Sequence, residues 1–589
     1  MNESTGLVSG LSGHAGAHPP QARVFRRHFL FLCAAIVASI VGVEILRSSH
    51  IESTRLIALS TRAAAKSRPH ILFVLVDDLG SNDIGYRSSE FKGITPVLDG
   101  LATDGIRLSR YYSMHMCTPA RAALLTSMYP SRIGMQFETV KPDSPWGLPL
   151  DQTTMTEYLK GRGYTTHGVG KWNQGHFSHE YLPTARGFNT FYGYLTDEIH
   201  YYTHEYPEEF CFDIVGDLLT SETTCTYFTD FMDMDASTGY QTVDANATYS
   251  SSLFTERAVD IIEDFNASAG SALFLYYAAQ NVHGPLDAPP TSLLSSVQMA
   301  RIDAISDSNR RTFAGMAAAL DQSVGRIVDS LKQTGLWNDT LVVFASDNGG
   351  CSRQGGSNLP LRGGKHFLFD GGLRVPSFVS SPLLPRTVHG TTFGGLFHVT
   401  DWLPTLLSAV DIDQSIVTGT VDGMDQWSAL LGEANPPRGE ALLGLNSFTV
   451  CCLDYNQEET CEGFLSDCAN VYLASMARKN NTRAALISGS WKIIINEYGL
   501  PWYGLNSTSD EHRTLFAGKD DDAAMSNCGS NPGSGLDNFL FNIQEDPNET
   551  TNLYSERSDV VNKVTAAWFP IPSNSCASCS HHDPWTSRR

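Results

Sequence analysis

Four apolar runs in this chain stop at a polar side chain, and that pattern constrains the fold more than any other feature. HILFVLVDDLG, from His70 to Gly80, ends in Asp77 and Asp78. TTHGVGKW, from Thr165 to Trp172, ends at Lys171. SALFLYYAAQNVHGP, from Ser271 to Pro285, leads to His283. TLVVFASDNGG, from Thr340 to Gly350, ends at Asp347 and Asn348. A continuous apolar run suits a strand buried on both faces, as in a parallel sheet. Helical patterns such as TMTEYLKGRG and AALDQSVGRIVDSLKQTG lie between the runs. The reading is an α/β fold: a large mixed, mostly parallel sheet with helices on both faces. Ligands of such sheets bind beyond the carboxyl ends of the strands, so the four polar termini are expected on one rim.

The rest of the chain sets the context. With 589 residues, 42% of them hydrophobic, a large core is available for one big domain and a smaller one. We place a catalytic domain at 68–435 and a smaller C-terminal α+β domain at 436–589. The latter is expected to carry a short antiparallel sheet, with strand-like SGSWKIIINEYG (Ser488 to Gly499) and FLFNIQEDPNETTNLYSE (Phe539 to Glu556). Residues 1–67 hold Arg23, Arg26 and Arg27 before the apolar run FLFLCAAIVASIVGV, Phe29 to Val43. Two readings stay open: a signal-peptide core, or a signal anchor that ties the protein to a membrane. Either one sends the remainder into the secretory pathway.

Cysteine usage agrees with export. Setting aside Cys33 and Cys117, ten of the twelve cysteines remain, an even number compatible with disulfides. Cys211 and Cys225 would close a short loop, while Cys451, Cys452, Cys461 and Cys468 cluster. Cys576 and Cys579 form a C-terminal CxxC, whose rival zinc reading lacks a second ligand pair. Asn246, Asn266, Asn338, Asn480, Asn506 and Asn548 head glycosylation sequons. The net charge of −22 argues against nucleic acid as a partner. An anionic substrate would need a local basic rim.

Asp77, Asp78, Asp347 and Asn348 are oxygen donors suited to a hard cation, Ca²⁺ or Mg²⁺. Each motif alone also fits a helix cap or a turn. Cys117 stands in CTPAR, before the helical AALLTSMY. Thr118 suits an N-cap and Pro119 a first helical position. Cys117 is then at a helix N-terminus, where a thiol is expected to be acidic and reactive, although a core or disulfide cysteine is the ordinary alternative. Arg121, one turn in, would brace the same site. Lys171 and Lys365, the latter in PLRGGKHFLFDGG (Pro360 to Gly372), could bind the oxygens of an anion. His283 could serve as a general acid.

Together these residues resemble the sulfatase family of the alkaline-phosphatase-like superfamily, most closely its arylsulfatase B (N-acetylgalactosamine-4-sulfatase) type. The likeness covers about residues 68 to 570. It is carried by LVDDLG, CTPAR with LLTS, GKW, LPTARGFNTFYGY, YYAAQNVHGPL, SDNGG, PLRGGKHFLFDGG, HVTDWLPTLL and FNIQEDPNETTNL. The resemblance implies that a formylglycine-generating enzyme oxidises Cys117 to formylglycine. Of the two hydroxyls of the hydrated aldehyde, one attacks the sulfur of a sulfate ester; the other lets the sulfated intermediate expel sulfate. It implies calcium held by Asp77, Asp78, Asp347, Asn348 and the residue at 117. It also implies anion stabilisation by Arg121, Lys171 and Lys365, leaving-group protonation by His283, and a sulfated carbohydrate or aryl sulfate as substrate.

One departure matters. The family reads Gly-Lys-Trp-His where this chain has Gly170-Lys171-Trp172-Asn173. An amide cannot act as a base near neutral pH. His176 and His115 are the nearby substitutes, and the departure leaves open a pseudoenzyme that binds sulfated glycans; a related phosphohydrolase is a third possibility. Ala120 replaces a common serine and Ser127 a usual glycine.

Overall fold

His70–Val76 (β1) is buried along its whole length, and its side chains divide between two cores. Ile71, Phe73 and Leu75 face one, with the helices Cys117–Thr126 and Trp402–Ala409. Leu72, Val74 and Val76 face the other, with the helices Pro96–Asp104, Ser250–Glu263 and Ser308–Gln333. This two-sided burial is what the continuous apolar run encodes. The protein is described here by a computed structural model. It describes residues 68–568 apart from 137–138, 208–209, 215–221, 268–269, 447–482 and 499–535, all within one compact unit that begins at Arg68.

The main sheet has ten strands in the order β13-β2-β12-β11-β1-β10-β4-β5-β8-β9. Besides β1 these are Ile106–Leu108 (β2), Tyr164–Lys171 (β4), Thr190–Tyr194 (β5), Met232–Asp235 (β8), Gly239–Thr242 (β9), Ala272–Ala278 (β10), Thr340–Ser346 (β11), Ser377–Ser380 (β12) and Thr391–Phe393 (β13). The centre, β11-β1-β10-β4-β5, is parallel throughout. The pairs β11–β12, β12–β2, β5–β8 and β8–β9 are antiparallel. The four runs that end in polar groups are therefore adjacent and parallel, as the sequence predicts, and their carboxyl ends share one rim. Tyr111–Tyr112 (β3) pairs with Phe397–His398 (β14) beside this sheet.

A separate antiparallel sheet follows in the order β15-β16-β17-β18: Glu440–Asn446, Arg483–Ser488, Trp491–Tyr498 and Leu536–Asn542. It packs Ala485, Ile487, Ile494, Phe539 and Phe541 against Phe367, Leu368, Phe369 and Leu373 of the loop that carries Lys365. Buried charges reinforce this contact. Lys492 on β17 donates to Asp370 (2.7 Å) and lies 2.6 Å from Glu549, all three buried. Tyr112 also donates to Asp370.

Phe210–Ile214 (β6) and Glu222–Thr226 (β7) form a hairpin that sets Cys211 opposite Cys225 in register. Cys351 is disulfide-bonded, and Cys117 is a free cysteine. No helix among the described residues is long and apolar enough to cross a membrane. The run Phe29 to Val43, the 451–468 cysteine cluster and the C-terminal CxxC lie outside the described residues.

Replacing Lys492 with alanine leaves the buried Glu549 without its cation and Asp370 with only Arg374, 3.6 Å away. We expect Lys492→Ala to lower unfolding stability by about 3–5 kcal/mol. An unchanged denaturation midpoint would show that the cluster does not hold the small sheet to the Lys365 loop.

Candidate active site

The helix Cys117–Thr126 begins with Cys117 itself, capped only by the backbone at Met116. The expected N-cap role of Thr118 is not realised. Its hydroxyl instead donates to Asn173 Oδ1 (2.6 Å) and accepts from the backbone N–H of Val140. A side chain committed to a neighbouring loop cannot also cap its own helix. The helix stops at Ser127, which takes the left-handed conformation (φ 61°) that favours the family's usual glycine. Its hydroxyl donates to Thr400 O (2.7 Å), so the serine gains a tie to the next element.

Asp77 is the hub. Its Oδ2 lies 2.6 Å from Lys171 Nζ and 3.4 Å from Arg121 Nη2, and its Oδ1 accepts from Cys117 Sγ at 3.4 Å. All four side chains are buried. Arg121 also grips Asp347 Oδ2 through Nε (3.1 Å) and Nη2 (2.8 Å). Lys365 Nζ donates to Asp78 Oδ2 (2.9 Å) and lies 2.8 Å from His283 Nε2. Asn348 Nδ2 donates to Asp78 Oδ1 (2.6 Å). Every site residue expected from the sequence is thus in one connected cluster. Asp77, Asp78 and Asp347 bring three negative charges and Arg121, Lys171 and Lys365 three positive ones, which cancel formally.

Burial raises the cost of every charge here, and partners decide which ones persist. Burial opposes the Asp77 carboxylate, but Lys171, His283, Arg121 and Lys365 outweigh it and hold Asp77 well below the usual range. Asp347 is pushed up to about 7 by burial and by the charge of Asp77. Burial and the Lys365 ammonium lower His283. The expected acidic thiol is overturned, because burial and the Asp77 carboxylate push Cys117 well above an ordinary thiol. Lys171 and Lys365 pull the other way but do not offset this.

Ligand atoms of Asp77, Asp78, Cys117 and His283 lie within 4.8 Å of one another. Asn348 Oδ1 is buried and has no hydrogen-bond partner, an acceptor that a cation would satisfy. Carboxylate and amide oxygens suit a hard cation. The donor set therefore fits the expected ion, with His283 closer to the cluster than sequence reasoning placed it.

Local backbone needs explain two of the motif glycines. A Cβ on Gly170 (φ 103°) would fall 1.9 Å from Ala278 O, so only glycine lets β4 approach β10 just before Lys171. A Cβ on Gly349 would meet Gly371 O at 1.9 Å, so the Asp347-Asn348 turn abuts the Lys365 loop through bare backbone.

Asn173 is fully buried, donates to Val140 O (3.0 Å) and accepts from Thr118. Both ends of its amide are engaged in tying CTPAR to its neighbours. Of the two substitute histidines, His176 hydrogen-bonds Pro142 O (3.1 Å), and His115 is buried with both ring nitrogens unpartnered. No hydrogen bond joins either to Cys117 among the described residues. Sequence reasoning missed Asp197 and Glu198, which approach His283 from beyond β5. The signal was available: the strand Thr190–Tyr194 is followed within four residues by the carboxylates Asp197 and Glu198.

A family model described as "Sulfatase" matches residues 69–412, more than half of the chain. This chain belongs to the sulfatase family. It is 33% identical over 514 residues to mouse arylsulfatase J, covering 85% of this chain and 75% of that one. Human arylsulfatase A is 31% identical over 401 residues, covering 65% of this chain and 72% of the relative. Among solved structures, the PsFucS1 sulfatase from Pseudoalteromonas sp. superposes with a TM-score of 0.61 at 20% identity, covering 87% of this chain and 93% of that one. A Ps i-CgsB complex with k-i-k-neocarrahexaose superposes with a TM-score of 0.60 at 24% identity, covering 85% and 92%. The α/β architecture is thus that of the sulfatases, and the chain is a sulfuric ester hydrolase of the arylsulfatase type.

Losing the Asn173 amide strands a buried hydroxyl and a buried carbonyl. We expect Asn173→Ala to cost about 1–3 kcal/mol in unfolding free energy, measured by chemical denaturation. No shift would mean that the amide does not brace the CTPAR helix.

Proposed function

We propose that this sulfatase hydrolyses sulfate esters of carbohydrates, with Cys117 as the formylglycine precursor and calcium at the Asp77, Asp78, Asp347 and Asn348 cluster. One observation carries the reading: Cys117 stands at a helix N-terminus against Asp77, ringed by Arg121, Lys171, Lys365 and His283 at the carboxyl rim of the sheet. A bound dication would add two positive charges to a formally neutral cluster, attracting an anionic ester that a chain of net charge −22 otherwise repels. Magnesium is the less favoured ion. The names of relatives and neighbours support a carbohydrate substrate, since one neighbour was solved with a neocarrahexaose and another with D-glucosamine-2-N,6-O-disulfate.

In this reading the residues divide the work. Lys171 and Arg121 keep Asp77 ionised, Arg121 holds Asp347 in place, and both cations offer N–H groups to sulfate oxygens. Lys365 holds His283 by its Nε2, while Nδ1 lies 2.7 Å from Gly284 O. The ring is thereby oriented with Nε2 inward as an acceptor, so the proton it passes to the departing alcohol must first come from the Lys365 ammonium that donates to it. The cysteine usage, together with the maturation by a formylglycine-generating enzyme that this reading requires, supports a secretory-pathway protein in a Golgi, lysosomal or extracellular setting, secreted or membrane-anchored.

The test is peptide mass spectrometry across Cys117, with sulfate release measured on a panel of sulfated sugars and aryl sulfates. The expected outcome is formylglycine at 117, turnover that Cys117→Ala abolishes, and loss of turnover with EGTA that added Ca²⁺ restores. Lys171→Ala should lower kcat by roughly 10²–10³-fold. An unmodified thiol with no turnover would overturn the reading.

Asn173 favours a second reading, a sulfated-glycan-binding pseudoenzyme. Its amide cannot take up a proton as a base near neutral pH and is already engaged on both sides. In the sulfatase reading, Asn173→His changes kcat by less than about tenfold; a gain of roughly 100-fold or more would show that the natural site lacks its base.

A further inference from the structure

The side of His283 that faces away from Lys365 carries charged groups that the reaction above does not use. Glu198 Oε2 lies 3.9 Å from His283 Nδ1, and its side chain is 14% exposed. Its carboxylate makes no hydrogen bond among the described residues, because Nδ1 is already taken by Gly284 O. Beside it, Asp197 Oδ2 is 2.6 Å from Lys141 Nζ, which also lies 3.4 Å from the Tyr206 hydroxyl. Asp197 Oδ1 is buried and unpartnered. Lys141 stays 42% exposed at the opening. The charged groups that Glu198 senses are Asp197, Lys141, Lys365 and Lys171.

These charges do not make the basic rim expected for an anionic polymer. Lys141 is neutralised by Asp197, and Lys365 and Lys171 are held by Asp78 and Asp77. Glu198, pushed up to about 7 by burial and by Asp197, is left uncompensated next to the histidine and carries its charge above neutral pH. A carboxylate in that position accepts hydrogen bonds from hydroxyl or amide donors. It repels a second sulfate or a carboxylate through a medium of reduced dielectric.

We propose that Glu198, backed by the Asp197–Lys141 pair, selects sulfate esters by the group on the atom next to the sulfated carbon. A hydroxyl there is accepted and a second anion is refused. The protein would then act on sparsely sulfated, locally neutral sugar units. This rests on the sulfatase reading, and the alcohol leaves from the His283 side in both.

Two small esters isolate the neighbouring group: catechol monosulfate, with an adjacent hydroxyl, and salicyl sulfate, with an adjacent carboxylate. Sulfate release is followed at pH 8 with the mature enzyme, and the ratio of the two kcat/KM values is the readout. Wild type should favour catechol monosulfate. Glu198→Gln should shift the ratio about tenfold toward salicyl sulfate, mainly through KM, and Glu198→Asp should restore most of the preference. Lys141→Gln, which removes the balancing cation, should shift it the opposite way. A ratio unmoved by Glu198→Gln and Lys141→Gln, or moved the same way by both, overturns the proposal while leaving the sulfatase reading intact. No turnover of either ester, or of any sulfated sugar or aryl sulfate, by enzyme with formylglycine at 117 overturns the sulfatase reading itself. A merely structural role for Glu198 would lower both rates together and leave the ratio unchanged, which also counts against selection.

Discussion

A buried carboxylate that must stay charged organises this protein. Asp77 sits at the end of β1 with no access to water, and an isolated carboxylate there would take up a proton. Lys171 from β4 and Arg121 from the Cys117 helix prevent this by direct contact. Each cation is itself buried and relies on Asp77 in turn. Removing any member would strand the others, so the strand order, the helix position and the charge state are mutually dependent. Cys117 is drawn into the same balance, since Asp77 is the group its sulfur touches.

The second layer of the fold serves the same cluster from farther away. Lys365 comes from a loop and not from a strand end, so the main sheet alone cannot position it. Its loop is held on one side by bare glycine backbone against the Asp347-Asn348 turn. On the other it is held by the small sheet, through Phe369, Phe539 and the Lys492–Asp370–Glu549 charges. The small sheet thus contributes to the site without entering it.

The residues that the sulfatase resemblance assigns to the anion are all present, and the departure from it that bears on proton chemistry is Asn173. Asn173 replaces a histidine and is consumed in bracing Thr118 and Val140. Glu198, Asp197 and Lys141 surround the outer face of His283.

Much of the site was legible in the sequence because the parallel sheet converts a one-dimensional pattern into a place. An apolar run followed by Asp, Lys or Asp-Asn puts that polar group on the carboxyl rim, and adjacency of the strands does the rest. By the same logic Asp197 and Glu198 were legible too, past Tyr194, although β5 is shorter and interrupted by Gly193. What sequence could not determine was the outcome of competition among partners. Thr118 had a cap to make and took a loop contact instead. Cys117 had a helix N-terminus to acidify it and met a carboxylate and a dry core that did the opposite. Such choices depend on distances between residues far apart in the chain, where Coulomb and desolvation energies vary over a few ångströms. The sequence determined the sheet, the rim and the residues that line it; tertiary structure decided which of those residues pair, which stay charged, and which remain free for a substrate.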